Sequence, residues 1–104
     1  MSIESGNDSP FSTRLKEARE RKSVSQKQLG ISIGLDPSVA STRMNQYEKG
    51  RHEPGFSILK KLAAYLEVPT AYFYCEDDQL ASLMVSYNNA SKELRMQARN
   101  LFDH

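Results

Sequence analysis

Hydrophobic residues recur at helical spacing in several separate stretches of the chain. In the first stretch, Phe11, Leu15 and Ala18 fall on one side with Arg and Lys between them, which predicts a helix over about residues 10–21. The residues before it are rich in Ser, Asn, Asp and Gly and show no period. Residues 1–9 are therefore expected to form a flexible arm.

Two shorter helical patterns follow the first. Ser25 is a good N-cap for a short second helix, which Gly34 ends. Asp36 followed by Pro37 is a cap and first-turn pair, so a third helix is expected from about Pro37 to Glu48. The apolar residues that mark the inner sides of these two helices are Leu29, Ile33, Val39, Ala40, Met44 and Tyr47.

The clearest amphipathic pattern runs from Phe56 to Leu66 and predicts a fourth helix. Thr70 can begin one more short turn, whose aromatic residues Tyr72 and Phe73 would cover the end of the core. No stretch shows the strict alternation of a strand. These five segments together predict a small helical domain over residues 10–74.

The last thirty residues, 75–104, carry two more apolar stripes, which Asn88 and Asn89 separate. This pattern predicts a helical hairpin attached to a domain whose core is already complete. The stripes then need a partner, which is either a second protein surface or the first and fourth helices of the same chain. The stripe residues are Leu80, Leu83, Met84, Leu94, Leu101 and Phe102.

The length of 104 residues fits one domain. The net charge is only +1, but eleven of the 14 Lys and Arg residues lie in residues 11–66 with five acidic residues, which gives that segment a charge of +6. Both flanking segments are acidic. A basic middle suits a polyanion such as nucleic acid, although charge alone favours an ordinary solvated basic surface.

Several other classes of protein are poorly supported. The single cysteine, Cys75, cannot form an internal disulfide and is too little for a structural zinc site. A Cys-His dyad would need His52 or His104, which lie in a turn and at the chain end. Since no glycine-rich phosphate loop and no membrane segment occur, we expect a cytoplasmic protein without enzymatic activity, metal or cofactor.

Several short motifs occur together at fixed spacings. They are Ser25-Gln26-x-x-Leu29, Gly34-Leu35, Met44-Asn45-x-Tyr47-Glu48-x-Gly50 and Pro54. This set resembles the Cro/cI-type, or XRE, family of phage and bacterial repressors over roughly Leu15 to Phe73. The resemblance implies an all-α, five-helix lambda-repressor-like DNA-binding domain, here followed by the C-terminal hairpin.

The sequence departs from the family pattern at two points. Fourteen positions separate Gly34 from Glu48, where the family more often has about ten, so one extra helical turn is expected around the start of the third helix. Gly30 stands where the family prefers Ala, and glycine weakens a helix by about 1 kcal/mol relative to alanine.

In this family the third helix enters the major groove and reads base edges. With Met44 and Tyr47 inward, the outward residues expected to read bases are Ser41, Thr42, Arg43 and Gln46. Arg43 fits a guanine contact and a phosphate clamp equally well, and Ser38 joins the set only if the extra turn reaches the groove. The residues expected at phosphates, each of which could instead be merely solvated, are Gln26, Asn45, Lys49 and Arg51.

The resemblance also implies that Arg19 and Glu48 form a structural salt bridge between helices. The predicted function is transcriptional regulation, most simply repression, by a homodimer on a roughly palindromic operator, with the hairpin stripes as the dimer interface. The alternative is a protein-interaction module of the same fold, such as an antitoxin that binds a toxin through its hairpin.

Overall fold

The computed structural model describes residues 9–103, and all regular secondary structure in that range is helical. The elements are α1 (Phe11–Arg21), α2 (Gln26–Ser32), α3 (Ala40–Glu48), α4 (Phe56–Leu66), a 3-10 helix (Thr70–Tyr74), α5 (Asp78–Asn88) and α6 (Lys92–Phe102). The predicted all-α fold is confirmed. The predicted flexible arm, up to residue 8, and His104 lie outside the described residues. Within residues 9–103, no helix has the length and apolar character to cross a membrane.

The hydrophobic core lies where α1 and α4 meet the 3-10 helix and α3. Phe11, Leu15, Leu62 and Phe73 have no exposed surface. The ring of Phe11 lies 5.4 Å from that of Phe73 and meets the ring of Tyr47 edge-on at 6.3 Å. Aromatic pairs at these separations stabilise a small core beyond the area they bury.

The start of α2 has the predicted cap. The Gln28 amide donates to Ser25 Oγ at 2.9 Å, and the Ser25 amide donates to Gln28 Oε1 at 2.8 Å. This reciprocal pair is a capping box, which satisfies two backbone donors that a helix start leaves without partners. At the other end, Gly34 has φ of +95°, a conformation that glycine adopts without strain.

The start of the third helix was predicted wrongly. We expected it near Pro37, but α3 begins at Ala40, because Asp36 folds the chain into a turn instead. Asp36 Oδ1 accepts hydrogen bonds from the Ser38 amide at 2.8 Å and hydroxyl at 2.7 Å, and the Asp36 carbonyl accepts from the Val39 amide at 3.0 Å. An aspartate before proline can cap a helix or close such a turn, and here the turn forms.

The extra residues therefore lengthen the connection between α2 and α3 and do not lengthen α3. Ser38 lies in this turn and is exposed. Val39 was expected on the inner side, but with φ of −121° it precedes the helical backbone, and its side chain is 41% exposed.

Close packing of α2 on α3 explains the glycine at position 30. A Cβ atom added to Gly30 would lie 2.7 Å from the Cβ of Ala40 and 2.9 Å from its carbonyl oxygen. Real Cβ atoms essentially never come so close to other atoms, so Gly30 permits an approach that Ala would prevent. The loss in helix propensity is the cost of that contact.

The two C-terminal helices relate differently to the rest of the protein. Ala81 of α5 is 1% exposed and lies in the core, and Met84 and Val85 pack against it. Asn89, which follows α5, donates its side-chain amide to the Glu67 carbonyl at 3.0 Å. In contrast, none of the eleven residues of α6 is buried.

Candidate DNA-binding surface

The outer side of α3 is polar. Ala40, Met44 and Tyr47 follow at i, i+4 and i+7 and are at most 5% exposed, which fixes the inward side of the helix. The structure therefore brings the four predicted base-reading residues to the surface on one short helix. Ser41, Thr42 and Arg43 are exposed, and Asn45 and Gln46 are half-buried.

Arg43 and Gln46 line a shallow cavity of about 360 Å³ together with His52 and Glu53. The turn after α3 is held in place because the Arg51 amide donates to the Gln46 carbonyl at 3.0 Å. Sequence reasoning considered His52 only as half of a catalytic dyad and missed its place on this surface. The only feature of the sequence that could have indicated this location is the position of His52 directly after the third helix.

Arg19 and Glu48 form a close, two-pronged ion pair. Arg19 Nε lies 2.6 Å from Glu48 Oε2, and Nη2 lies 3.1 Å from Oε1. The Arg19 guanidinium also donates to the Val24 carbonyl at 2.9 Å. The two side chains are only 14% and 4% exposed, and hydrogen bonding to Glu48 raises the pKa of Arg19 further. This pair fixes the C-terminal end of α3 on α1, and thereby the direction in which the outer side of α3 points.

Gln26 lies at the start of α2 and faces α3. Its amide nitrogen donates to Glu48 Oε1 at 3.1 Å and to Asn45 Oδ1 at 3.4 Å. These contacts extend the Arg19 and Glu48 pair into a small network between α2 and α3. If the Gln26 amide nitrogen is to bind a phosphate, one of these two hydrogen bonds must break. The longer one, to Asn45, costs less to break.

Two cations follow α3 closely in the chain. Lys49 and Arg51 are both exposed, and Gly50 between them has φ of +75°, so the chain turns sharply there. With Arg43, these residues place three positive charges on or beside the outer side of α3. Glu53 brings a negative charge to the edge of the same surface, where it accepts from the Tyr74 hydroxyl at 3.4 Å.

Sequence reasoning missed Arg14, which is 3% exposed and is the one charged residue among residues 9–103 that is buried when backbone and side chain are counted together. Its guanidinium donates to the Cys75 carbonyl and to Asp78 Oδ1, both at 2.9 Å, and to Glu17 Oε1 at 3.2 Å. Burial lowers the pKa of Arg14, but hydrogen bonds to Asp78 and Glu17 outweigh it and raise the pKa overall. Arg14 thus joins α1 to the start of α5.

A second network lies beside Arg14. The Tyr72 hydroxyl donates to Glu17 Oε1, and the Arg21 guanidinium lies over the Tyr72 ring, 5.6 Å from its centre. Burial, with the hydrogen bond to Glu17, raises the pKa of Tyr72 to about 12. Both networks connect structural elements and lie apart from the outer side of α3.

The structure places the predicted interface residues in two different environments. Met84 packs partly against the core, whereas Leu80, Leu83, Leu101 and Phe102 are 47 to 78% exposed. Between α5 and α6 lies an open, mainly apolar cavity of about 620 Å³, whose lining includes Arg99 and Asp103. Leu94, on the same stripe of α6, is also exposed. Cys75 is buried, and no group of three or more potential metal ligands occurs among residues 9–103.

A model of the helix-turn-helix family matches residues 15–73. The chain is 28% identical over 89 residues to y4wC of Sinorhizobium fredii (strain NBRC 101917 / NGR234), an uncharacterized HTH-type transcriptional regulator. That match covers 86% of this chain but 58% of the relative, so the chain spans little more than half the relative's length. Among solved structures it is similar to the transcriptional regulator BswR, with a TM-score of 0.84 and 43% identity over 88% of this chain and 91% of that one.

Proposed function

This chain belongs to the Cro/cI-type, or XRE, family of helix-turn-helix proteins, and from that premise we propose that it represses transcription by placing α3 in the major groove of a specific operator. The observation that carries the proposal is the polar outer side of α3, which the ion pair between Arg19 and Glu48 holds in one direction. Side chains fixed on a rigid element can read base edges without a large loss of conformational entropy.

Two residues of α3 supply the strongest base contacts in this proposal. Gln46 can bind adenine with both ends of its amide, and Arg43 can bind the two acceptors of guanine. Arg43 at a phosphate instead would contribute affinity but no sequence preference. Ser41 and Thr42, both exposed, contribute shorter contacts from the N-terminal half of the helix.

The residues proposed to bind the DNA backbone flank these base readers. Lys49 and Arg51 neutralise phosphates as cations, whereas Gln26 and Asn45 contribute neutral hydrogen bonds. If both cations of each protomer contact phosphates, a dimer neutralises four charges. The logarithm of the association constant should then fall with the logarithm of salt concentration at a slope of about −4.

The test is selection of duplexes from a random pool, followed by fluorescence anisotropy across a salt series. We expect enrichment of a roughly palindromic site, a slope near −4, and for Lys49→Ala a slope less steep by about 2. Lys92→Ala, an exposed lysine of α6, is the matched control and should leave the slope unchanged. No enrichment, with equally weak binding by wild type and Lys49→Ala, would overturn the proposal in favour of a protein partner for the hairpin.

We further propose that residues 75–104 are the dimerisation element, with the apolar stripes of α5 and α6 as the interface of a homodimer, and that residues 10–74 bind DNA. An isolated helix of eleven residues is marginally stable in water, and α6 buries none of its residues against its own chain. The cavity beside it has a mainly apolar lining that also includes one charge of each sign, Arg99 and Asp103. An apolar surface that carries one charge of each sign can pair with a second copy of itself, and a two-fold dimer requires such pairing.

Leu101→Glu is expected to convert the protein from dimer to monomer, because it places a charge in the apolar stripe of α6. The measurement is the mass in solution by light scattering, which for a dimer is twice the 11.8 kDa of the chain. Met96→Glu alters an exposed apolar residue on the opposite side of α6 and should remain dimeric. A wild-type protein that is monomeric while bound to its operator would contradict the proposed interface.

A further inference from the structure

An aliphatic side chain is exposed at the start of α3, the helix proposed to enter the major groove. Val39 is 41% exposed, whereas the next residue, Ala40, is fully buried. Val39 is also absent from the group of half-buried apolar residues that pack against the core. The side chain therefore contributes little to the core of its own chain, and it lies directly beside the predicted base readers.

The position of Val39 is fixed by backbone hydrogen bonds. Its amide donates to the Asp36 carbonyl at 3.0 Å, and its carbonyl accepts from the Arg43 amide at 2.9 Å, as the first hydrogen bond of α3. The Asp36 side chain holds the intervening Ser38 as well. An apolar group held in this way can contact a partner with a small loss of conformational entropy.

Val39 is the N-cap of α3, and its carbonyl already accepts the first helical hydrogen bond, from Arg43. Its side chain therefore lies near the side of the helix that carries Arg43 and Gln46, the two principal base readers, which follow at i+4 and i+7. The C5-methyl of thymine is the apolar group that bases present in the major groove. Val39 precedes Arg43 by about one helical turn, or roughly 6 Å, so the bases that the two side chains can reach should be close neighbours.

This inference rests on the proposed function: we infer that Val39 packs against the C5-methyl of a thymine within about two base pairs of the base or phosphate that Arg43 contacts. The residue then contributes to sequence preference by apolar contact, where the other predicted readers use polar groups. The lengthened turn from Asp36 to Val39 is the feature of this chain that positions it.

The test replaces each thymine of the selected operator in turn by deoxyuridine, which lacks only the methyl group. Wild-type protein should lose about fourfold in affinity at one thymine of each half-site, the equivalent of one buried methyl group. Val39→Ala should bind the thymine duplex more weakly and bind both duplexes equally at that position. Val39→Thr, which keeps one methyl and the branched shape, should keep part of the preference.

Ile31→Ala is the matched control, because Ile31 is 43% exposed but belongs to α2; its preference for thymine should equal that of wild type. The inference alone is overturned if the selected half-site has no thymine at that distance, or if Val39→Ala discriminates the two duplexes as wild type does. Failure of the wild-type protein to select any duplex would instead overturn the proposed function and the inference together.

Discussion

Replacement of both Arg43 and Gln46 by alanine is expected to lower affinity for the selected operator by at least about a thousandfold, to the level of non-specific binding. Each good base contact contributes about 1 to 3 kcal/mol, and a dimer loses four of them. Non-specific binding sets the limit, since specific complexes are typically 10³ to 10⁷ times tighter. Fluorescence anisotropy with selected and scrambled duplexes measures both affinities.

The single variants separate the two roles of Arg43. If Arg43 reads a base, Arg43→Ala weakens binding to the operator far more than to scrambled DNA. If it holds a phosphate, the variant weakens both equally and makes the salt slope less steep. The matched control, Lys92→Ala with Gln97→Ala, likewise removes one cation and one side-chain amide, from exposed positions of α6 outside its apolar stripe. A double variant of α3 that still prefers the operator would show that other residues read the sequence.

The parts of the fold that depend on local sequence could be predicted. The apolar stripe of α4 and the cap at Ser25 each involve residues within a few positions of one another, and the structure has both. Packing of the 3-10 helix aromatics was also foreseeable, because Phe73 is large and apolar in a chain with few such residues. Local periodicity and capping chemistry were sufficient for these elements.

The remaining features depend on choices or contacts that local pattern does not determine. Asp36 before proline is compatible with both a helix cap and a turn, so the residue at which α3 begins could not be predicted from the sequence. Arg14 lies at i+3 from Phe11 and directly before Leu15, on the apolar side of α1, and this placement was a usable signal for burial. Its partners Cys75 and Asp78 lie more than sixty positions away, and no local rule identifies them.

Arg19→Met is expected to destabilise the protein by about 3 to 5 kcal/mol, the usual cost when one member of a buried pair loses its partner. Methionine replaces the aliphatic part of the side chain, but the Glu48 carboxylate, 4% exposed, loses its two hydrogen bonds from Arg19. Only the Gln26 amide, at 3.1 Å, then remains as a described side-chain donor to it. Urea denaturation followed by circular dichroism gives the change in free energy of unfolding.

Arg14→Met tests the same reasoning at an arginine whose carboxylate partners are exposed to solvent. Its carboxylate partners Glu17 and Asp78 are 46% and 93% exposed, so water can solvate both when the guanidinium is removed. The loss is then mainly the hydrogen bond to the Cys75 carbonyl, about 1 to 3 kcal/mol. Arg19→Met should therefore be the more damaging of the two variants, although Arg14 is the more deeply buried arginine.

The double variant Arg19→Met, Glu48→Met identifies the source of the loss. Since it leaves no unpaired charge in the interior, it should regain much of the stability that Arg19→Met loses. It should nevertheless bind the operator more weakly than wild type, because the two-pronged pair that directs α3 is gone. A double variant no more stable than Arg19→Met would show that lost packing, and not the stranded carboxylate, dominates the cost.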